Sequence, residues 1–301
     1  MKNTNNFEVK FFMYHDIRDS IEYKNRYNLK PFLTIKEFET QLDYICSLYT
    51  VISTQEYLEL DKKEGKFAVL TFDDGLLDHY NVSKLLKIRG LTGTFLIPTK
   101  PIISDYVMCS HKIQFVLSEI DELVIVKKII ELLPEPSDEL WEKYSISEFK
   151  NNWWTPEMIF ITNISRQHKD GMEVTDKLFE MYITKDLKSF NDMLYLNEYH
   201  IEEMIKDGME IGCHGYISEN CLFMDNDIMK RDIEMSCNYI KKYLTKNKPL
   251  IFSYPNGGYN KDVVNELSKN GCVIAYTTKP QNSLDNNLTL PRVSAPEELP
   301  R

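Results

Sequence analysis

Few of the features that mark membrane-spanning, secreted or nucleic-acid-binding proteins occur in this sequence of 301 residues. It has no run of about 18 apolar residues, the length that a membrane-spanning helix needs. The N-terminal segment MKNTNNFEVKFFMYHD lacks the apolar run of a secretory signal. We therefore expect a cytoplasmic protein with no membrane span.

Basic residues are also fewer than acidic ones: the 36 Lys and Arg residues are outnumbered by 46 Asp and Glu residues, which gives a net charge of −10. Such a charge disfavours nucleic acid and anionic membranes as partners. The six cysteines include no CxxC pair, so we expect buried thiols rather than a disulfide framework. The hydrophobic fraction of 43% is enough for a substantial core.

Short apolar runs alternate with helix-period segments along most of the chain, which is typical of repeated βα units. The predicted strands are Val9–Tyr14, Phe67–Phe72, Gly93–Ile97, Met209–Cys213, Leu250–Tyr254, Val273–Thr277 and a short one near Leu288–Val293. Helix caps are predicted at Thr34 (with Glu37 as a capping box), Asn197 and Asn260. The last two helices lead directly into a strand, which favours a βα barrel.

Residues 104–194 break this alternation. They form successive helix-period segments, which include Ile113–Ile120, Glu122–Leu133, Asp138–Tyr144 and Thr175–Ile183. We interpret them as a helical insertion, on the catalytic face, within one domain that spans residues 1–301. We expect a lid that brings His111 or the Trp153–Trp154 pair to the substrate, because the insertion follows a strand end.

The motif TFDDG at positions 71–75 directly follows the apolar residues 67–70. Side chains at the carboxyl end of a barrel strand line the active site. Two adjacent acids raise one another's pKa unless a cation neutralises them, and a divalent metal lets one carboxylate ligate while the other stays free as a base. The alternative is a solvated turn in which Asp74 only caps the next helix.

Two further segments follow predicted strands. His214 ends the segment EIGCH at 210–214, and although a lone histidine is more often structural, this one would open onto the same face as the acids. The turn SYPNGGYN at 253–260 can direct backbone N–H groups into a pocket as an oxyanion hole, although alone it is only a turn.

In this order, the three segments resemble the motifs of the polysaccharide deacetylases, carbohydrate esterase family 4, which share a NodB-type homology domain. Other segments resemble the same family: MYHDI at 13–17, FETQL at 38–42, TGTFLI at 92–97 and LPRV at 290–293. The resemblance covers roughly residues 1–100 and 195–295 and leaves the insertion unmatched.

The resemblance implies a distorted (β/α)7 TIM-like barrel that removes N-acetyl groups from amino sugars. Asp73 matches the general base, and Asp74 and His214 match two ligands of a divalent metal, which we expect to be Zn²⁺, with Ni²⁺ or Co²⁺ as alternatives. The backbone N–H of Asn256 matches an oxyanion donor. The other residues expected at the substrate are Tyr254, Arg292 and His15.

The sequence departs from the family's pattern in three ways. Ser218 replaces the second histidine of the H-x-x-x-H motif, so a metal ligand is missing; His111 is the candidate third ligand, with a helix-capping surface histidine as the alternative. Ser253 replaces the arginine that holds the base, and Arg292 is the candidate substitute. No late Leu-x-x-His-Asp motif is visible, so the family's usual acid histidine is not identified.

The sequence thus predicts a metal-dependent amide hydrolase that deacetylates an amino sugar or a sugar-containing intermediate of surface glycan biosynthesis. Its substrate would be a small molecule or a short saccharide. Two alternatives stay open: hydrolysis of another small amide, and saccharide binding without turnover, which Ser218 and Ser253 motivate. Retention of both Asp73 and Asp74 argues against a pure binder, which needs no crowded acids.

Overall fold

The structure, a computed structural model, describes residues 7–18, 32–61, 64–146, 154–278 and 284–300. It divides into two compact units. Among the described residues, the barrel unit comprises those within 1–22, 31–104 and 192–301, and the helical unit comprises those within 105–191. The helical unit thus nearly coincides with the predicted insertion at 104–194, whose place within a single domain stays a prediction.

The described strands all belong to the barrel unit: β1 (Phe7–Tyr14), β2 (Ile17–Arg18), β3 (Leu33–Thr34), β4 (Thr50–Val51), β5 (Gly65–Asp73), β6 (Thr94–Ile97), β7 (Glu210–Cys213), β8 (Leu250–Ser253), β9 (Cys272–Thr277), β10 (Leu290–Pro291) and β11 (Val293–Ser294). The helices are α1 (Ile35–Leu48), α2 (Thr54–Glu59), α3 (Asp78–Ile88), α4 (Lys100–Ile103), α5 (Cys109–Glu119), α6 (Glu122–Leu132), α7 (Ser137–Tyr144), α8 (Pro156–Gln167), α9 (Gly171–Tyr182), α10 (Leu187–Leu194), α11 (Glu198–Lys206), α12 (Asn226–Ile240), α13 (Lys261–Lys269) and α14 (Ala295–Glu298).

The strands pair in parallel in the order β10–β9–β8–β7–β6–β5–β1–β11, and β4 also pairs with β5. Only Arg292 separates β10 from β11 in the sequence. Leu290 pairs with β9 while Val293 pairs with β1, so this short segment joins the two edges of the sheet. The predicted fold class, a distorted TIM-like (β/α)7 barrel, is confirmed.

Helix caps set where the barrel helices begin. Thr34 and Asn197 each form a capping box, and the Asn260 side chain accepts hydrogen bonds from two backbone N–H groups, as predicted. Inside the sheet, the Phe72 ring stacks between Tyr14 and Phe95, with ring centroids 5.3 and 4.6 Å apart. This packing fixes β1, β5 and β6 side by side, so that their carboxyl ends lie at one edge.

The helical unit has its own core. Phe190 makes edge-on contacts with Phe115 and Phe179, with ring centroids 4.6 and 4.9 Å apart. The predicted helices of the insertion are present with slightly different ends. Trp153 lies outside the described residues, and the proposed lid stays a prediction. In the described part of the chain, no helix is long and apolar enough to span a membrane.

Candidate active site

The carboxyl ends of four parallel strands bring the candidate catalytic side chains to one end of the barrel. β1 leads into His15, β5 ends at Asp73, β7 leads into His214 and β8 ends at Ser253. The positive-φ residues other than glycine that the structure describes are Asp74, Ser218 and Asn256. Asp74 and Asn256 lie within two of the sequence motifs and Ser218 lies four residues after His214 of the third, and backbone strain of this kind concentrates at functional sites.

Asp73 is held by a network of buried donors. Arg292 Nη1 donates to Asp73 Oδ1 at 2.8 Å, and Nη2 donates to Oδ2 at 2.6 Å. The same guanidinium also bonds Thr71 Oγ1 at 3.1 Å and Ser253 Oγ at 2.8 Å, and Ser253 Oγ donates to Asp73 Oδ2 at 3.1 Å. The structure therefore places Arg292 on the carboxylate of Asp73, beside the serine that stands where the family has its arginine.

This network keeps Asp73 ionised. Burial by itself would raise the pKa of Asp73, but the charge of Arg292, assisted by His214, the Arg292 hydrogen bonds and His15, outweighs it and lowers the pKa to about 2. A carboxylate that stays deprotonated and fixed in direction is suited to accept a proton from water. Arg292 binds both oxygens of Asp73 and so holds the carboxylate in one orientation.

We expect Arg292→Gln to move the acid limb of the pH–rate profile upward by about 1–3 pH units, since the buried Asp73 carboxyl would lose its cation and gain a proton more easily. A protonated carboxyl cannot act as a base, so activity should fall first at low pH. The measurement is kcat/KM against pH.

Ser253→Ala is the matched control for Arg292→Gln, because it removes a neighbouring hydroxyl and leaves the guanidinium in place. It should shift the acid limb less. If Arg292→Gln unfolds, Arg292→Lys, which keeps the positive charge, is measured in its place. An unchanged acid limb in a folded Arg292→Gln protein would show that Arg292 does not control the ionisation of Asp73.

Asp74 and His214 form a buried pair. His214 Nδ1 lies 3.0 Å from the carbonyl oxygen of Ser253, and Nε2 lies 3.5 Å from Asp74 Oδ1. Burial would lower the pKa of His214, but the carboxylates of Asp73 and Asp74 outweigh it and raise the pKa. Leu77, not Asp74, is the N-cap residue of α3, so the alternative that Asp74 only caps this helix is wrong.

This pair fits a divalent ion. Two ligands that each lie about 2.0–2.2 Å from a tetrahedral metal are roughly 3.3–3.6 Å apart, a range that includes the 3.5 Å between His214 Nε2 and Asp74 Oδ1. A backbone carbonyl on Nδ1 sets the tautomer that leaves Nε2 to ligate. Among the described residues, no group of three or more His, Cys, Asp or Glu side chains could hold a metal.

Two residues bear on the third ligand. Ser218, at the position of the family's second histidine, is buried with a φ of 60°. His111, the predicted substitute, is buried in α5 of the helical unit. Its role as a ligand stays a prediction.

His15 and His79 lie beside the base. His15 Nε2 lies 3.9 Å from Asp73 Oδ2, and its side chain is 28% exposed. His79 is fully buried, and its Nε2 lies 2.6 Å from the carbonyl oxygen of His15. Burial lowers the pKa of His79, so a neutral ring with its proton on Nε2 donates this bond. His79 thereby fixes the backbone that carries His15.

The turn after β8 contains the expected oxyanion donor. Asn256 is exposed and left-handed, with φ 55° and ψ 20°, and its N–H has no acceptor among the described residues. Tyr254, in contrast, is fully buried, and its hydroxyl donates to the carbonyl of Leu288 at 2.7 Å. The prediction that Tyr254 contacts substrate is wrong: Ser253 faces Asp73, and strand alternation directs Tyr254 to the opposite side.

Asp232 on α12 was not predicted. Its two carboxylate oxygens accept the N–H groups of Tyr216 and Ile217, at 2.9 and 3.0 Å, and so hold the loop that follows His214. Burial raises the pKa of Asp232 to about 6 despite these bonds. No periodicity or motif in the sequence marks this residue, because its partners are backbone groups of another segment.

Comparisons with known proteins bear on this site. Residues 163–275 match the profile of the family described as polysaccharide deacetylase, which confirms the resemblance seen in the sequence. The match begins inside the insertion, which the resemblance had left out, and does not include residues 1–100. The comparison with curated protein sequences found no match.

Several solved structures share the fold. The deacetylase PplD of Streptococcus pyogenes, solved in complex with acetate, is 16% identical with a TM-score of 0.60, covering 97% of this chain and 96% of that one. IcaB of Ammonifex degensii is 15% identical with a TM-score of 0.56, covering 96% and 91%. A de-N-acetylase of Aggregatibacter actinomycetemcomitans is 14% identical with a TM-score of 0.52, covering 95% of both chains.

Proposed function

We propose that this chain, whose residues 163–275 match the polysaccharide deacetylase family, hydrolyses the N-acetyl group of an amino sugar with Asp73 as the general base. The family indicates a carbohydrate amide hydrolase; the base, the metal and the sugar are our assignments. The observation that carries the proposal is the buried Asp73 carboxylate, held by Arg292 next to the Asp74–His214 pair.

Asp74 and His214 would hold a divalent ion, Zn²⁺ by preference. When bound, such an ion supplies a Lewis acid for the amide carbonyl and lowers the pKa of water towards about 7. Asp73 takes a proton from the attacking water, while Arg292 and Ser253 keep its carboxylate in one orientation. We assign the exposed Asn256 N–H to stabilise the oxygen on which negative charge develops.

His15 is our candidate for the missing general acid. It follows β1 at the same end of the barrel, lies 3.9 Å from Asp73 Oδ2 and is partly exposed, so it can reach both the base and a bound sugar. A histidine can pass a proton to the leaving amine near neutral pH. The hydrogen bond from His79 to the His15 carbonyl supports this position.

A non-catalytic saccharide binder is the second candidate, which Ser218 favours because it leaves two protein donors for a metal. The network around Asp73 opposes it. The guanidinium of Arg292 replaces the arginine that the family has at the position of Ser253. A protein that only binds sugar needs no base carboxylate with a pKa of about 2.

The substrate class we propose is a saccharide with an N-acetylated amino sugar, including intermediates of surface glycan assembly. A related fold was solved with acetate, the product of deacetylation. Hydrolysis of another small amide would use the same residues. A panel of N-acetylated substrates therefore identifies which molecule carries the hydrolysed acetyl group.

The deciding experiment measures acetate release from N-acetylglucosamine oligomers, N-acetylated sugar nucleotides and a simple amide such as acetanilide. The purified protein is supplied in turn with Zn²⁺, Ni²⁺ and Co²⁺. We expect release from at least one saccharide and none after chelation. Binding of the oligomers without acetate release under every metal would favour the non-catalytic reading, and release from acetanilide alone would favour a general amidase.

A further inference from the structure

The backbone turn that presents Asn256 is fixed by a residue from the next strand. Thr277, the last residue of β9, is fully buried, and its Oγ1 donates to the carbonyl oxygen of Gly257 at 3.1 Å. This bond spans 20 residues of sequence and joins the end of β9 to the turn after β8.

Two peptide groups connect this hydroxyl with the oxyanion donor. The peptide between Gly257 and Gly258 accepts from Thr277 through its C=O and donates through its N–H to the carbonyl of Pro255 at 3.2 Å. That carbonyl belongs to the same planar peptide as the N–H of Asn256 and points the opposite way. The direction of the Asn256 N–H thus follows from the peptide that Thr277 holds.

The two glycines allow the turn to pack closely on its neighbours. A Cβ atom on Gly257, whose φ is +66°, would lie 2.1 Å from Thr278 Oγ1 and 2.9 Å from the Thr278 backbone nitrogen. A Cβ atom on Gly258 would lie 1.9 Å from Asn220 Oδ1. The turn is therefore confined on both sides, and Thr277 contributes the hydrogen bond that sets its rotation.

We infer that Thr277 is a positioning residue for the oxyanion site, acting through the Gly257–Gly258 peptide on the N–H of Asn256. This inference rests on the proposed deacetylase function. An oxyanion donor acts on the transition state and not on the bound substrate, so its misplacement should lower kcat and leave KM nearly unchanged.

The test compares Thr277→Val with Thr277→Ser. Valine keeps the shape and removes the hydroxyl, whereas serine keeps the hydroxyl and removes only the methyl group. We expect Thr277→Val to lower kcat by about 10–100-fold, with KM and metal content unchanged. Thr277→Ser should retain most of the wild-type kcat.

A merely structural role would give a different result: both variants would have lower melting temperatures, and the folded fraction would keep its kcat. Equal kcat for Thr277→Val and wild type, or equal losses in both variants, would overturn the inference. Gly258→Ala gives an independent check. It should also lower kcat, and Asn220→Ala in the same chain should restore part of it by making room for the new methyl group.

Failure of this inference can be told apart from failure of the proposed function. If the wild-type protein releases no acetate with any metal, the deacetylase proposal fails. If the wild type is active and Thr277→Val is equally active, only the role of Thr277 fails.

Discussion

Asp73→Asn is expected to reduce acetate release by about 10²–10⁴-fold, the usual contribution of a positioned general base. The amide keeps the size of the carboxylate but cannot accept a proton from water. Because Asp74 and His214 are unchanged, the variant should bind as much metal as the wild type. Kinetics and elemental analysis on the same preparation measure both quantities.

Folding has to be controlled in this experiment. Asp73 neutralises the buried Arg292, and removal of one partner of a buried pair can cost about 3–5 kcal/mol of stability. Asp73→Glu keeps the negative charge but moves the carboxylate by one methylene group, so it should fold and still lose most activity. If a folded Asp73→Asn protein hydrolyses at close to the wild-type rate, Asp73 is not the base, and His15 becomes the first candidate.

The pKa of Asp73 also affects acid stability. The folded-state pKa of about 2 lies below the usual value of 3.8, so the ionised group stabilises the fold above about pH 4. That contribution is lost as the pH falls from about 4 towards 2. Measuring unfolding by urea across this range should show a steeper loss of stability in the wild type than in Asp73→Asn.

The sequence was sufficient to predict the elements that position the site. Strands of near-continuous apolar residues, followed by TFDDG and by His214, place both motifs at one edge of a parallel sheet, since βα units allow only that arrangement. The capping residues Thr34, Asn197 and Asn260 mark helix starts because their side-chain bonds are local.

Other features depend on contacts that no local pattern encodes. Asp232 and Thr277 bind backbone groups of segments 15 or more residues away, so neither spacing nor residue type reveals their partners. The prediction that Tyr254 contacts the substrate failed for a different reason. It rested on the motif that contains Tyr254, whereas the alternation of side chains after Ser253 directs Tyr254 into the core. Arg292 was the candidate substitute because it stands in the LPRV segment of the resemblance, and the structure places its guanidinium on the carboxylate of Asp73.

The last prediction concerns the metal. We expect His214→Ala and Asp74→Asn to lose both bound metal and activity, because each removes one of the two protein donors that face one another across 3.5 Å. Loss of a partner outside the ligand shell already lowers metal affinity by about 10–100-fold, so loss of a ligand should lower it by more than about 100-fold. Metal content after supplementation with Zn²⁺, Ni²⁺ or Co²⁺ and gel filtration is the measurement.

Two further variants serve as comparisons for this experiment. His200→Ala, at a histidine whose ring accepts from the backbone N–H of Asn197 at the start of α11, should keep both metal and activity. Ser218→His, which rebuilds the family's second imidazole, should retain metal through longer dialysis than the wild type, because three protein ligands hold an ion more firmly than two. Should His214→Ala bind as much metal as the wild type, the ion does not sit between Asp74 and His214. The buried His214, whose pKa is raised, would then be a charged partner of Asp73 and Asp74. Deacetylation would in that case depend on Asp73, His15 and the backbone N–H of Asn256.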